Sequence, residues 1–309
     1  AATGTLNMAE LAIRLEAVQD NKAVLAGYAF IVVGLGIKAA MFPLHQWLPN
    51  AYAYSPNFVT VFLAATATKV AFYALVRLLF SVFSPALEFQ QMTFTWVLAP
   101  LAAIAAITCS FQAVFQTDIK RMLAYSSVAQ VGYMLLGLAL ATELGLSAGL
   151  FHLINHAMMK GALFMAVGGV ALSLGSSQLR DFAGVARKAP WTMTAMAIAA
   201  LSLVGVPLTA GFLSKVALFK AALVEGWWWV VVVLAMSSVL AVLYVGRILE
   251  STFFKTPGPT QMNVREAPIM LLLPLWVLAL ANIYFGIDAS FITNLTDGAA
   301  SIAFPGVRP

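Results

Sequence analysis

The sequence predicts an all-α fold, namely a polytopic transmembrane helix bundle. Of its 309 residues, 62% are hydrophobic and only 9% are charged. The mean hydropathy of +0.92 lies far above that of water-soluble domains. Apolar stretches of about 20 residues, the length at which a helix crosses a bilayer, recur along most of the chain. These observations assign the protein to the integral membrane class.

We predict about eight membrane spans from these apolar stretches. The spans cover residues 23–43, 57–80, 94–115, 122–142, 147–173, 191–222, 227–250 and 267–286. Residues 1–22 form a lead-in loop or amphipathic segment. An even number of spans places both ends of this segment on the same side of the membrane.

The distribution of Lys and Arg between loops predicts which side that is. Loops on one side carry Lys120, Arg121, Arg180, Arg187, Lys188, Arg247, Lys255 and Arg265. Segments on the other side carry Arg14, Lys22, Arg77, Lys220 and Arg308. Because positive residues accumulate on the cytoplasmic side, we expect both ends on the periplasmic side of a bacterial inner membrane.

Two spans contain helix breakers beside a lysine. GLGIKAAMFPLHQWLP ends the first span, and LVGVPLTAGFLSK interrupts the sixth. Lys38 precedes Pro43 by five positions, and Lys215 follows Pro207 by eight. Broken helices are tolerated in lipid only where they are buried in protein or line a hydrated cavity, so paired breaks indicate a transport path and two inverted repeats. An ordinary proline kink is the alternative for either break.

The spans carry basic residues near their centres, whereas Asp and Glu lie in loops or near helix ends. The basic residues are Lys38, Lys69, His152, His156, Lys160 and Lys215. An ionisable group at bilayer depth costs at least about 2.5 kcal/mol and usually faces a bundle interior or a hydrated path. This row of one sign predicts proton movement.

The fifth span concentrates three of these residues on one helix face. In FHLINHAMMKGALF, the residues His152, His156 and Lys160 follow one another at intervals of four. On a helix they form a ladder about 12 Å long. Histidine accepts a proton on one nitrogen while it releases one from the other, which suits a relay between lysines.

Other roles remain open for these residues. Zinc would need a third protein ligand besides His152 and His156, and a haem would have to pair His156 with His45, the only other histidine. Either histidine can also serve in helix packing. Lys69 lies halfway along its span, and snorkelling to the interface is its alternative role.

Composition and motifs exclude several other functions. The net charge of +5 does not indicate nucleic-acid binding, because the Lys and Arg residues lie in short loops. The chain has a single cysteine, Cys109, so an intrachain disulfide is excluded. We expect Cys109 to be a buried packing residue. Phosphate loops, nucleophile elbows and paired catalytic carboxylates are absent, so nothing in the sequence supports the catalysis of a soluble enzyme. We also predict no bound cofactor and no metal. A sodium site would need acidic residues from partner subunits.

Five segments together resemble one family. They are GIKAAMFPLHQWLPNAYAYSP, ATKVAFYALVRL, DIKRMLAYSSVAQVGYM, FHLINHAMMKGALF and GVPLTAGFLSK. In this order they are similar to the antiporter-like proton-translocating subunits shared by respiratory complex I and the multisubunit Mrp-type cation/proton antiporters. The resemblance covers roughly residues 30–220.

The resemblance implies a fourteen-helix fold with two inverted five-helix repeats. This chain would begin just before the seventh helix, with 23–80 ending the first repeat, 94–250 forming the second and 267–286 the final helix, all within one domain. Because the chain also lacks an initiator methionine and a signal peptide, we expect a fragment. The family pairs its first lysine with a glutamate on the fifth helix, and these 309 residues contain no counterpart.

The same resemblance implies roles for individual residues. Lys38 matches the lysine of the first broken helix, Lys69 the lysine of the next helix, and Lys215 the terminal lysine. His152, His156 and Lys160 match the central group, with His45, Pro43 and Pro207 in support. Asp118, Lys120 and Arg121 match a loop motif for which helix anchoring is at least as probable as a functional role.

We therefore expect a proton-translocating subunit of a multisubunit Na⁺/H⁺ antiporter, most like the D-type Mrp subunit. The alternative is the same module within an NADH:quinone oxidoreductase or a membrane hydrogenase. A structural spacer with degenerate sites is a third hypothesis, which the intact lysines disfavour. Expected partners are other membrane subunits, protons, Na⁺ through those subunits and the lipid bilayer.

Overall fold

The described part of the chain is helical and confirms the all-α prediction. The computed structural model describes residues 2–18, 21–83 and 93–304. In these ranges the helices of eight residues or more are α1 (Met8–Leu15), α2 (Lys22–Ala39), α3 (Trp47–Tyr54), α4 (Asn57–Ser81), α5 (Thr93–Val114), α6 (Ile119–Ala139), α7 (Glu143–Leu174), α8 (Pro190–Val204), α9 (Ala210–Val224), α10 (Trp228–Phe254), α11 (Ile269–Ile287) and α12 (Ser290–Ala303).

Seven helices in the described ranges are long and apolar enough to cross a membrane, namely α2, α4, α5, α6, α7, α10 and α11. The shorter α8 and α9 together replace the predicted span at 191–222. This arrangement accounts for the eight predicted spans. The sidedness stays a prediction, and Arg308, which contributed to it, lies outside the described residues.

The helix α6 forms the centre of the bundle. In its apolar 18-residue window 94% of residues are buried, against 22% for α11 on the periphery. Small residues bring α6 and α7 together, since a Cβ added to Gly137 would lie 2.8 Å from the Gly145 carbonyl oxygen. Such close approach lets helix backbones pack directly in a membrane. The two helices that carry most of the candidate residues are therefore fixed inside the protein.

The first predicted break separates α2 from α3. The helix ends at Ala39, four residues before the predicted boundary at 43, because Ala40 adopts a left-handed conformation with φ 59°. Trp47 reaches back from α3 and donates its indole N–H to the Ile37 carbonyl oxygen at 2.8 Å. Pro43 lies in the segment between the two helices. The last carbonyl oxygens of a helix lack partners within the helix, and the hydrogen bond from Trp47 supplies one such partner at the end of α2.

The second predicted break separates α8 from α9 and is confirmed. Gly205 ends α8 with φ 91°, a left-handed conformation that glycine adopts without steric cost. Pro207 follows in the connection, and α9 begins at Ala210. In the first turn of α9, Gly211 N–H donates to the Ser202 hydroxyl at 3.1 Å. The two half-helices are thus joined directly across the break.

A turn before α6 anchors the short helix α3. The Asp118 side chain caps α6 by accepting a hydrogen bond from the Arg121 N–H at 2.9 Å. Lys120 donates to the Ser55 carbonyl at the end of α3 at 3.3 Å, and Arg121 donates to the Asn50 side chain at 3.0 Å. These contacts support the anchoring role that the sequence left open for this motif.

We expect Asp118→Ala to lower the amount of assembled complex without changing proton transport per complex. Loss of an N-cap costs about 1 kcal/mol. The change also removes the acceptor for the Ser177 hydroxyl and the Gln178 amide. Native gel electrophoresis measures assembly, and Asp118→Asn, which keeps the capping oxygen, is the control. A transport defect at full assembly would contradict the anchoring role.

The helix α12 was not predicted. It places Ile292, Thr296 and Ala300 at intervals of four on its buried face. The Ser147 hydroxyl in the first turns of α7 lies 3.2 Å from the Thr296 hydroxyl and also contacts Asp297. The periodic face was present in the sequence, but the segment is too short and too polar to be identified by a search for membrane spans.

Candidate functional site

The break between α8 and α9 creates an ammonium site for Lys215. The side chain is only 5% exposed, and its Nζ donates to the carbonyl oxygens of Leu203 at 3.0 Å and Val204 at 2.7 Å. A third bond reaches the Ser238 hydroxyl on α10 at 3.2 Å. The last carbonyls of a helix lack helical partners and form the negative end of its dipole. The break therefore supplies the oxygen ligands that a buried lysine needs.

The Tyr133 ring on α6 links Lys215 to His152. The Lys215 Nζ lies 5.5 Å from the ring centroid, in the range of a cation–π contact. The same ring is stacked with the His152 imidazole at 5.5 Å between centroids, with 25° between the planes. The Tyr133 hydroxyl also lies 3.3 Å from the Ser238 hydroxyl. One aromatic side chain thus contacts both ionisable groups.

His152 is fully buried where α6, α7 and α9 meet. Its Nδ1 lies 3.0 Å from the Ser214 hydroxyl, and its Nε2 lies 2.9 Å from Gln130 Oε1. Hydroxyl and amide groups can each donate or accept a hydrogen bond. Both ring nitrogens therefore keep a partner in more than one protonation state.

His156 lies one turn further along α7. Its ring is nearly parallel to that of His152, with 12° between the planes and 6.1 Å between the centroids. The residue is fully buried, and among the described protein atoms neither of its ring nitrogens has a hydrogen-bond partner. Buried polar groups without partners are rare and often mark functional places. Both nitrogens of His156 are available for proton exchange.

Lys160 continues the row on α7 and is also fully buried. Its Nζ donates to the Leu123 carbonyl oxygen on α6 at 2.8 Å and to the Ser126 hydroxyl. Ser126 in turn donates to the Leu123 carbonyl at 2.9 Å. The ammonium is held by neutral oxygens only, so a proton can leave it without separating an ion pair.

Lys69 approaches the same group from α4 and is 5% exposed, which argues against snorkelling. It follows a widened π-helical turn at Leu63–Ala67, and its Nζ donates to the Ala64 carbonyl oxygen in that turn. Such turns break the regular bonding and frequently occur at functional sites. Lys69 is close enough to His156 and Lys160 for positive charges on these residues to repel one another.

The structure brings together five of the six basic residues predicted for the site, and Lys38 is the exception. Lys38 lies in the last turn of α2 and is exposed. Its helix packs mainly against α4. Lys38 therefore remains a candidate by sequence alone.

His45 is buried in the first break and contacts Cys109, for which the sequence predicted only a packing role. Its Nε2 lies 3.7 Å from the Cys109 sulfur, and its ring is stacked on Phe42 at 5.2 Å. Across residues 2–18, 21–83 and 93–304, no group of three or more His, Cys, Asp or Glu side chains is arranged to hold a metal. The two ion pairs in these ranges, Glu10–Arg14 and Arg180–Asp181, do not involve the buried lysines.

Comparison with known proteins identifies the family. The sequence model described as "NADH:quinone oxidoreductase/Mrp antiporter, TM" matches residues 1–241, which is most of the chain. The chain belongs to this family. It is a multi-pass membrane protein by family and by its helices.

Three relatives of this antiporter-like family illustrate its range. NADH-quinone oxidoreductase subunit N of Desulforudis audaxviator is 41% identical, over 99% of this chain and 63% of that protein. A chain of the Mrp complex from Dietzia sp. DQ12-45-1b superposes with a TM-score of 0.90 at 27% identity, over 99% of this chain and 64% of that one. A chain of an archaeal membrane-bound sulfane sulfur reductase superposes with a TM-score of 0.87 at 36% identity. The match covers 97% of this chain and 60% of that one. This chain thus spans about three fifths of each relative.

Several polar residues of this antiporter-like site were not predicted. Gln130, Tyr133, Ser214, Ser126 and Ser238 all contact one of the buried basic residues. Four of them lie within the segments YSSVAQVGY and GFLSK, which the sequence analysis singled out for their resemblance only. Their signal was a polar side chain inside an apolar span. Which basic group each one contacts depends on packing between helices that are distant in sequence.

We expect Tyr133→Leu to lower proton transport about tenfold, because a desolvated cation–π contact contributes up to about 2 kcal/mol. Tyr133→Phe keeps the ring and loses only the hydroxyl, so it should retain most of the activity. Proton flux in proteoliposomes, normalised to assembled complex, measures the difference. Equal flux in the two variants would show that the ring has no role of its own.

Proposed function

We propose that this chain is the proton-conducting part of an antiporter-like subunit in an NADH:quinone oxidoreductase, most similar to subunit N. The observation that carries the proposal is the buried row Lys69, Lys160, His156, His152 and Lys215, in which every residue except His156 is held by neutral oxygens. The 41% identity to an NADH-quinone oxidoreductase subunit N supports assignment to a respiratory complex over the antiporter expected from the sequence.

The chemistry of the row suits sequential proton transfer. Each lysine binds a proton on Nζ, and carbonyl or hydroxyl oxygens stabilise the charge without a carboxylate that would trap it. A positive charge on Lys69 repels a proton from Lys160 or His156. The proton then moves to His152 and on to Lys215 at the break. Repulsion between neighbours thus drives the charge along the row.

The surroundings of this subunit are part of the proposal. We place it in a bacterial inner membrane, next to other membrane subunits of the complex, with both ends of the segment outside. Residues 23–80 would close one inverted repeat and 94–250 would form the other. Lys38 would gain neighbours from the part of the fold that precedes α2, which would explain its exposure in this chain.

The test is to purify the native assembly that contains this chain and to record its flavin and iron–sulfur absorption together with NADH-driven proton pumping in liposomes. We expect redox centres and pumping. An assembly without redox centres, whose proton flux follows an imposed sodium gradient, would contradict the respiratory assignment.

That second outcome would identify an Mrp-type antiporter, which has its own support. The superposition on the Mrp complex chain has a TM-score of 0.90 over 99% of this chain. The same buried row would then exchange protons against a cation that partner subunits bind. Sodium itself would require oxygen ligands from those partners.

A further inference from the structure

The Ser214 hydroxyl has one proton and two neighbours that can receive it. Ser214 is fully buried on α9, next to Lys215 in sequence. Its hydroxyl donates to the Gly211 carbonyl oxygen at 3.1 Å and also lies 3.0 Å from His152 Nδ1. A hydroxyl donates a single hydrogen bond. It therefore serves either the start of α9 or the histidine, and not both.

The proton on His152 Nδ1 decides the direction of its contact with Ser214. While Ser214 donates to Gly211, it can only accept from His152, so Nδ1 must carry a proton. At the other nitrogen, Gln130 lies 2.9 Å from Nε2, and its amide can accept from or donate to the ring.

Loss of the Nδ1 proton would reverse the role of Ser214. The bare nitrogen becomes an acceptor, and the hydroxyl proton turns from Gly211 towards it. Gly211 belongs to the first turn of α9, and Lys215 lies further along the same helix. We propose that Ser214 is a positioning residue that links the proton on His152 to the start of α9 and so to the placement of Lys215.

This inference rests on the proposed proton path. In that path the proton that leaves His152 binds the neutral amine of Lys215, so the two residues together carry one positive charge before and after the step. Ser214 neither gains nor loses a proton overall, since its hydroxyl only changes the acceptor. The side-chain amide of Gln130 can donate to His152 Nε2 as well as accept from it. Its own nitrogen has no other partner among the described atoms, so it is free to turn towards the ring.

The experiment uses the full-length chain in its assembled complex, reconstituted into liposomes, with proton flux measured per assembled complex. Ser214→Ala removes the hydroxyl. Ser214→Thr and Ser214→Val add the same bulk, and only threonine keeps the hydroxyl. Thr252→Val is the matched control, because Thr252 is 1% exposed and donates to the Ile248 carbonyl at 2.9 Å without contacting a buried lysine or histidine.

We expect Ser214→Thr to stay within about twofold of the unmodified complex, and Ser214→Ala and Ser214→Val to fall about tenfold, as for loss of a hydrogen bond to a charged group. Thr252→Val should leave the flux unchanged. Unmodified flux in Ser214→Ala would overturn the inference. Equal flux in the threonine and valine variants would do the same, since packing alone would then explain the loss.

His152→Ala, measured in parallel, separates this inference from the proposed function. If His152→Ala retains its flux, protons do not pass through this histidine. The proposed link between Ser214 and a proton on His152 then fails together with the path. If His152→Ala loses its flux while Ser214→Ala keeps it, the path stands and only the role of Ser214 is rejected.

Discussion

Replacing Lys160 by methionine is expected to abolish proton translocation and to leave the complex assembled. Lys160 is fully buried on α7, one turn beyond His156, so its loss removes a proton-carrying group from the buried row. Methionine has a similar length and no charge to bury. The vacated oxygens keep partners, because the Ser126 hydroxyl already donates to the Leu123 carbonyl at 2.9 Å. The fold therefore tolerates the change that the transport does not.

The control for this variant is Lys220→Met on α9. Lys220 is an exposed lysine on a helix of the same bundle and makes no contact with the buried row. Both variants are compared by initial proton flux in proteoliposomes and by the yield of intact complex. Flux in Lys160→Met equal to that of Lys220→Met would mean that protons do not pass through Lys160.

The second large effect is structural and concerns Gly211. A Cβ at this position would lie 1.8 Å from the Ser202 carbonyl oxygen and 2.8 Å from its carbonyl carbon. Both atoms belong to the backbone of α8, which cannot rotate away as a side chain would. We expect Gly211→Ala to cost about 3 kcal/mol or more through overpacking and to remove most of the assembled complex.

Gly246→Ala on α10 is the matched control for this steric prediction. A Cβ there meets no atom within 4 Å, so the substitution should be neutral or slightly stabilising. The amount of intact complex and its thermal unfolding midpoint in detergent are the measurements. Normal assembly of Gly211→Ala would mean that the two half-helices do not approach each other as closely as the structure shows.

The sequence was sufficient to locate the breaks and most of the buried basic residues. Pro207 and the glycines around it predicted where α8 ends, because these residues act through local backbone geometry. The spacing of His152, His156 and Lys160 predicted a shared helix face for the same local reason. Features determined by residues close in sequence were thus predictable.

The contacts of these residues depend on packing between distant segments and were not predictable. Lys215 binds Leu203 and Val204 because the chain turns back at the break, and it meets Ser238 because α10 packs alongside. Lys38 shows the reverse case. It matches the family pattern but lies exposed, because burial depends on neighbours that a motif does not describe.

The central claim, that protons cross through the buried row, is tested most directly at Lys215. The measurement is the number of protons translocated per NADH oxidised by the reconstituted complex, with and without Lys215→Ala. The account predicts a lower ratio in the variant at normal assembly. An unchanged ratio and an unchanged rate would contradict it.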